Sequence, residues 1–262
     1  MKYSTLTICT GLVCSAIAQA GDVSSEEIIT PPAAPTEWSW FVGGSLGYVS
    51  GEFDGLGAAG DILGLDDWDE PIYTLHVGTE RMAASGNASH AFFIEVGYTK
   101  NDESVNADQG LISELNDTIQ DLAGDQQITI DTLSFGTDME IIPITYNYKY
   151  ESCVAEKLNW YVGAGAGFAL VDTELSVDLS GTIGEDSGSI GDSDSDDDTV
   201  FYAHIFAGLT YNVSETFELF GGVRYIFMDD IDINLYDGLI DDSIDSPLDG
   251  AVHVELGARY NF

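Results

Sequence analysis

The sequence has very few positive charges. Its 262 residues include 7 Lys and Arg against 46 Asp and Glu, a formal net charge of −39. So acidic a chain repels nucleic acid and anionic surfaces and attracts cations and basic partners, so no nucleic-acid partner is expected. Because 44% of the residues are hydrophobic, the chain lacks the low hydrophobicity that disorder requires. The charge is therefore expected to be segregated from the apolar part.

Long hydrophobic runs are also missing. The apolar run at residues 6–18 is shorter than the roughly 20 residues of a spanning helix. It follows Lys2 and ends at Ala18-Gln19-Ala20, the pattern of a cleaved secretory signal. We therefore predict a signal peptide at residues 1–20 and export. Since no later segment is long enough for a transmembrane helix, a chain that spans a membrane would cross it with strands.

Cysteine is scarce as well. Cys9 and Cys14 lie in the predicted signal, where Val13 disfavours a lipoprotein site at Cys14, so the mature chain keeps only Cys153 and forms no internal disulfide. Residues 21–37 contain Pro31, Pro32 and Pro35 without periodicity, which predicts a flexible or extended lead-in. The folded domain is expected at 38–262.

Two-residue alternation is abundant instead. In 251–262, Val254, Leu256 and Tyr260 share an apolar row, while Glu255 and Arg259 belong to the other row. Successive side chains of a strand point to opposite faces, so this segment has one apolar and one polar face. Seven more segments repeat the pattern: 38–49, 72–80, 91–99, one ending near 150, 158–171, 201–213 and 217–227. Their lengths suit tilted strands that cross a bilayer.

The connections alternate in length, as an even-stranded meander requires. Those at 81–90, 151–157 and 214–216 are short, and those at 50–71, 101–131, 172–199 and 229–250 are long. The long ones carry 33 of the 46 acids and no Lys or Arg. Sixteen aromatic residues fall at predicted strand ends, as in the two aromatic girdles of membrane barrels. With the short turns placed inside, the inner girdle is Trp38, Trp40, Tyr146, Tyr148, Trp160, Tyr211, Phe217, Tyr260 and Phe262, and the outer girdle is Tyr48, Tyr73, Tyr98, Phe168, Phe201, Tyr225 and Phe227.

Several segments resemble the small eight-stranded outer-membrane barrels, the OmpA-type and opacity-protein-like group. They are EIIPITYNYKY (140–150), WYVGAGAGFA (160–169), FELFGGVRY (217–225) and the terminal phenylalanine. The resemblance implies an all-β, eight-stranded antiparallel up-and-down transmembrane β-barrel, with short periplasmic turns and long acidic extracellular loops. It also implies residence in the bacterial outer membrane, contact with outer-membrane lipid, and Tyr260 and Phe262 as the terminus read by the barrel-insertion machinery.

The inner rows of the predicted strands are charged. They include His76, His204 and His253, together with a predicted lumen charge network of Glu80, Glu95, Lys149, Glu218, Arg224, Glu255 and Arg259. Charges in a low-dielectric bore are costly unless paired, which favours an ion-paired plug; a narrow water-filled pore is the alternative. The inward histidines are interpreted as core residues, because no nucleophile or metal cluster has convincing spacing.

The densest acidic run is a candidate for divalent-cation contact: Asp192, Asp194, Asp196, Asp197 and Asp198. An EF-hand is rejected, because Asp197 and Ala203 stand where that loop needs glycine and glutamate. No resident cofactor is expected, although calcium or magnesium could bind loosely.

Two local features concern the second long connection and the fourth strand. Leu111, Leu115, Ile119 and Leu122 repeat at helical spacing and predict a short helix packed on its own loops. Pro143 predicts a bulge or phase change, because Glu140 would otherwise share the lipid face.

The function expected from these patterns is a non-enzymatic outer-membrane barrel with a structural or surface-interaction role, whose loops meet an extracellular ligand or cations. A small-solute or cation-preferring pore, favoured by the glycine row of the fifth strand, is one alternative. A lipid-modifying barrel enzyme is a weaker one.

Overall fold

Eight antiparallel strands form a closed ring. The computed structural model describes residues 37–52, 67–83, 86–123, 128–184, 186–235, 240–244 and 246–262; the predicted signal peptide and nearly all of the lead-in lie outside them. The barrel strands are β1 (Ser39–Glu52), β2 (Asp67–Met82), β3 (Ala88–Asn106), β4 (Ile128–Ala155), β5 (Leu158–Ile183), β6 (Asp186–Asn212), β7 (Phe217–Met228) and β10 (Val252–Asn261). They pair in the order β1-β10-β7-β6-β5-β4-β3-β2, which confirms the predicted up-and-down barrel.

The ring closes between the first and last barrel strands. Strand β10 pairs antiparallel with β1 in a continuous register from Phe41↔Asn261 to Ser50↔Val252. Closure leaves the sheet without a free edge within the barrel, which removes the unpaired backbone groups that an open sheet exposes. We call the end with connections 83–87, 156–157 and 213–216 the short-turn end, and the opposite end the long-connection end.

The barrel is apolar outside and polar inside. All sixteen predicted girdle aromatics are exposed on the outer surface, and Leu75 and Leu256 between them are 73% and 74% exposed. Between Arg81 and His90 at one rim and Lys100 and Glu140 at the other, the outward positions of the described barrel strands carry no charged side chain. The period of two therefore sorts the side chains by polarity around the whole ring.

Four neighbouring strands continue beyond the long-connection end. Strands β3, β4, β5 and β6 form a protruding sheet in which β5 and β6 stay paired from Leu158↔Tyr211 to Ile183↔Asp186. The prediction of a long loop at 172–199 is therefore wrong. Its alternating Ser, Thr and Asp residues keep the strand period, and the turn lies around Gly184, whose φ of 66° suits glycine.

The predicted helix is present as α1 (Gln109–Ala123). Asp108 Oδ1 caps it by accepting hydrogen bonds from the Gly110 and Leu111 amides at 2.6 and 2.9 Å. Asn116 exchanges two hydrogen bonds with the backbone of Ile130, so the helix lies on the start of β4. Among the described residues, no helix has both the length and the apolarity needed to cross a membrane.

The last long connection contains a small hairpin of β8 (Ile231–Leu235) and β9 (Ile240–Ile244). It precedes Leu248, which is fully buried. This connection therefore returns to the barrel mouth before β10 begins.

The predicted bulge at Pro143 is wrong. Strand β4 keeps one register with β5 on both sides of it, from Ile142↔Leu170 to Ile144↔Phe168, and its shifts lie at Ile130/Thr132 and Cys153/Ala155. Glu140 does lie on the outward row, but β4 has risen beyond the apolar band at that point. Lys100 Nζ binds its carboxylate at 3.3 Å, so no phase change is needed.

Candidate functional site

The lumen is filled in layers, and an arginine organises the first charged layer. Arg224 on β7 donates from Nε and Nη2 to Glu255 at 3.0 and 2.9 Å, and from both terminal nitrogens to Glu95. Ser45 Oγ donates to Glu255 at 2.7 Å. The guanidinium fork matches carboxylates in pairs, and such charge-assisted bonds compensate the loss of hydration in a bore where Arg224 is 6% exposed.

A second charged layer lies toward the short-turn end. Arg259 Nη2 contacts Glu80 at 2.8 Å and Glu218 at 2.5 Å, and its guanidinium lies 4.7 Å from the centre of the Phe41 ring. Lys149 Nζ contacts Glu151 at 2.6 Å. The seven residues of the predicted charge network thus all lie inside, in three ion-paired groups that form two layers.

Glu151 is a charged lumen residue that the sequence pattern does not reveal. The pattern places it in a short connection, but β4 continues to Ala155 and Glu151 is buried. It accepts hydrogen bonds from Asn159 at 2.7 Å and Thr210 at 3.3 Å in addition to Lys149. Extending the inward row Thr145, Asn147 and Lys149 by two residues would have found it.

An aromatic layer separates the two charged layers. Phe41, Phe93, Tyr161 and Phe206 are buried together, and Phe220 packs against them. The space left between this layer and the charges is about 30 Å³, which is room for a few water molecules at most. The middle of the bore is therefore largely filled by side chains.

The long-connection end is sealed by apolar side chains, which the sequence pattern had not indicated. Val49, Ile72, Met139, Ile141, Ala169, Val171, Val200, Tyr202, Ile226, Met228 and Ala251 from the wall pack with Trp68, Ile231 and Leu248. Trp68, Ile231 and Leu248 lie where the long connections meet the barrel. Together these side chains form an apolar layer across this end of the bore.

The short-turn end is open. A vestibule of about 650 Å³ is lined by Glu80, Glu151 and Glu218, with Ser89 and Asn159 among the other residues. It leads from solvent to Glu80 and Glu218, the two carboxylate partners of Arg259. The vestibule is therefore an acid-lined cavity that is open at the short-turn end.

Two of the three inward histidines pack on aromatic rings, and the third is buried. His76 lies 5.4 Å from Phe93, and His204 lies 5.8 Å from Tyr202 and 5.5 Å from Phe206, measured between ring centres. His253 is 1% exposed. These contacts are those of core histidines.

The fifth strand's glycines do not line open space. A Cβ at Gly163 would meet the Phe206 ring and the Tyr148 carbonyl oxygen, and one at Gly165 would meet Asn147 and His204. The glycine row, which favoured a conduit, makes room for large side chains from neighbouring strands.

The acidic run lies on a strand rather than in a loop. Residues Asp192 to Asp198 belong to β6, where Asp197 pairs with Asp172 and points to the opposite face from Asp196 and Asp198. Within the described ranges, no group of three or more His, Cys, Asp or Glu side chains is arranged to hold a metal ion. The divalent-cation site stays a prediction.

Outside the lumen, partial desolvation, and then the hydrogen bond and charge of Asp197, raise the pKa of the Asp172 carboxyl above its ordinary value. Glu140 is the other cross-strand partner of Asp172. The row Glu140, Asp172, Asp197 therefore brings three acids side by side, with Lys100 at one end.

No protein-family model matches the chain, and neither does a curated protein sequence. Among solved structures it is similar to Neisserial surface protein A, with 14% identity over 86% of this chain and 99% of that one and a TM-score of 0.44. It is also similar to the attachment invasion locus protein Ail of Yersinia pestis, at 12% identity over 86% and 97% with a TM-score of 0.34. A third similar structure is the N-terminal β-barrel domain of Pseudomonas aeruginosa OprF, with 11% identity over 84% of this chain and 97% of that one and a TM-score of 0.27. The eight-stranded ring is observed directly in the strand order of this chain.

Proposed function

We propose that this protein is an integral protein of the bacterial outer membrane, a small barrel with a closed lumen and a structural or surface-interaction role. Its protruding acidic sheet stands outside the cell, and its vestibule opens to the periplasm. The short connections then face the periplasm and the long ones the exterior, as in barrels of this size.

The observation that carries the proposal is the uncharged outward belt between two aromatic rims. Side chains such as Leu75, Leu256 and Ile205 are more than half exposed there, whereas buried Glu95, Arg224 and Glu255 lie inside. In water this arrangement would expose a continuous apolar surface far larger than that of a soluble monomer. In a bilayer the belt is solvated by lipid tails. The predicted export signal at 1–20 is consistent with this destination.

The closed bore favours a structural or binding role over transport. A solute would have to displace the Arg224 ion pairs, the aromatic layer and the apolar seal. Displacing the ion pairs would leave charges buried without a partner. Displacing the aromatic layer or the apolar seal would break apolar contacts. The protruding sheet of β3–β6 is then the part that outside partners meet.

A membrane-specific substitution tests the proposal. Leu75 in the belt and Ile190 on the protruding sheet are equally exposed, at 73%. Leu75→Arg should lower the free energy of unfolding in lipid vesicles by about 2–4 kcal/mol, and Ile190→Arg should leave it unchanged. Urea titration and heat-modifiable gel migration would measure this. A soluble, detergent-free monomer that tolerates Leu75→Arg would contradict the proposal.

A second candidate is a narrow, cation-preferring pore, which the acid-lined vestibule favours. Single-channel recording in planar bilayers separates the two. The closed-barrel proposal expects no steady conductance. Reproducible cation-selective steps from the unmodified protein would favour the pore.

A further inference from the structure

One stretch of the short-turn rim differs in charge from the rest of the molecule. Arg81 on β2 is exposed and directly opposite His90 on β3, and both point outward. His90 is directly opposite Tyr150 on β4, and Trp38 is exposed beside the start of β1. We call Trp38, Arg81, His90, Tyr148 and Tyr150 the basic rim patch.

The patch holds a cation without a carboxylate partner. Residues 21–262 contain six Lys and Arg, and Lys100, Lys149, Arg224 and Arg259 are all in ion pairs. Of the described carboxylates, none lies within ion-pair distance of Arg81. The connection from Arg81 to His90 reads RMAASGNASH and contains no acid. In a chain of net charge −39, Arg81 is therefore a cation that no described carboxylate neutralises.

The geometry of the patch fixes the histidine. His90 Nδ1 and Tyr148 Oη are 2.8 Å apart, and the His90 ring lies 5.4 Å from the Tyr150 ring. Trp38 and Phe92 place their ring centres 6.0 Å apart on the same outer surface. The held imidazole directs its other nitrogen, Nε2, away from Tyr148, and among the described residues that nitrogen has no hydrogen-bond partner. In the tautomer in which Tyr148 donates to Nδ1, Nε2 carries the proton, and Arg81 and His90 then present donors side by side.

The position of the patch selects its ligand. On the barrel side it continues into Val77, Phe92 and Ile94 of the apolar belt, and on the other side it ends at the turn. A ligand that satisfies both halves has an anionic phosphate next to hydrocarbon chains. Arginine binds phosphate oxygens with paired hydrogen bonds, and tyrosine and tryptophan prefer this depth in a bilayer.

We propose that Arg81 and His90 bind the phosphodiester headgroup of a phospholipid in the periplasmic leaflet, with Trp38 and Tyr148 flanking it. The site rests on the proposed membrane location. It anchors the β2–β3 side of the barrel at a fixed depth, where the inward acids Glu80 and Glu151 are separated from the lipid by the wall.

Retention of phosphatidylglycerol by the full-length mature protein in detergent, measured by native mass spectrometry, tests the site. Arg81→Gln should weaken retention about tenfold, as expected for the loss of one or two charge-assisted hydrogen bonds. Lys157→Gln is the matched control, because it removes one exposed cation in a turn of the same end and should change nothing. His90→Phe keeps the ring and should weaken retention less than Arg81→Gln.

Heat-modifiable migration is measured for each variant first. If the unmodified protein does not form a heat-modifiable barrel in lipid, the proposed function fails. If all variants form barrels but Arg81→Gln and Lys157→Gln retain the lipid equally, only the lipid site is overturned. Displacement of the lipid by inorganic phosphate at equal concentration would also overturn it, because the site would then bind a free anion rather than an amphiphile.

Discussion

Arg224 and Glu95 join their side chains across the full width of the barrel. Their strands, β7 and β3, are four positions apart in either direction around the eight-strand ring, and both guanidinium terminal nitrogens donate to the Glu95 carboxylate. The pair is a strut between opposite walls. Glu255 on β10 accepts hydrogen bonds at the remaining edge of the guanidinium. It therefore links the Arg224–Glu95 pair to the closing strand.

Removal of the arginine should therefore be costly. Arg224→Gln leaves Glu95 and Glu255 buried without a cation, which should lower the free energy of unfolding by about 3–5 kcal/mol. Urea titration in lipid vesicles, followed by tryptophan fluorescence, measures the change. Lys157→Gln removes an exposed turn cation and should shift stability by less than about 0.5 kcal/mol. Equal, small effects would show that the strut contributes little.

The aromatic layer requires glycine on its neighbour strand. In Gly163→Ala the new methyl group meets the Phe206 ring and the Tyr148 carbonyl oxygen, so the free energy of unfolding should fall by about 1–3 kcal/mol. Gly188→Ala is the control, because no described heavy atom lies within 4 Å of its Cβ position. The same urea titration compares them. A neutral Gly163→Ala would mean that the bore has more space than the packing indicates.

Helix α1 should detach when one side chain is shortened. Asn116 Nδ2 donates to the Ile130 carbonyl at 3.0 Å and its Oδ1 accepts from the Ile130 amide at 2.6 Å. Asn116→Ala should speed amide hydrogen exchange in 109–123 by about tenfold or more, the loss of two hydrogen bonds. Thr118→Ala, which loses only a bond to Glu114 within the helix, should leave exchange nearly unchanged. An equal effect of the two substitutions would argue against the clamp.

The sequence predicted the ring and the inward charges because a strand's period of two is independent of its neighbours. Phe93, Glu95, Tyr146 and Asn147 could be assigned to faces from alternation alone. The strand ends could not be predicted in this way. The polar residues after Asp172 lack an apolar row, so their sequence predicts a loop. In the structure, hydrogen bonding between β5 and β6 continues through them.

Two further features depend on tertiary context. Pro143 has no amide hydrogen to donate, yet β4 keeps its register with β5 at this position. Whether a proline causes a bulge therefore depends on the strand beside it, which the sequence does not show. Trp68, Ile231 and Leu248 lie in or beside long connections far apart in the sequence. Their common burial in the apolar seal follows from the closure of the ring.

The acid row on the protruding sheet should respond to pH. Because the pKa of Asp172 is raised in the folded state, its stabilising contribution is present below the ordinary carboxyl pKa of about 4 and is lost as pH rises through the folded value. Hydrogen exchange of the outer β5–β6 amides, corrected for its intrinsic pH dependence, should therefore indicate greater local stability in acid.

Asp197→Asn removes the facing charge and should raise that local stability at neutral pH and flatten its pH dependence. Asp192→Asn is the control, since Asp192 is directly opposite Val177 rather than an acid; it should keep the wild-type profile. A profile that is unchanged by Asp197→Asn would assign the pH response to other groups.

The protruding sheet holds its outer end away from the charge of the membrane surface. From Asp172 to Ile183, β5 rises about 30 Å above the apolar band, allowing about 3.4 Å per residue and a tilt near 40°. The Debye length in physiological salt is about 8 Å. The acidic run from Asp192 to Asp198 pairs with residues 171–177 near the base of the sheet. The tip at Ile183 and Asp186 is therefore screened from that run and from the membrane surface, and an approaching molecule responds to the run only when it is nearly in contact with the lower part of the sheet.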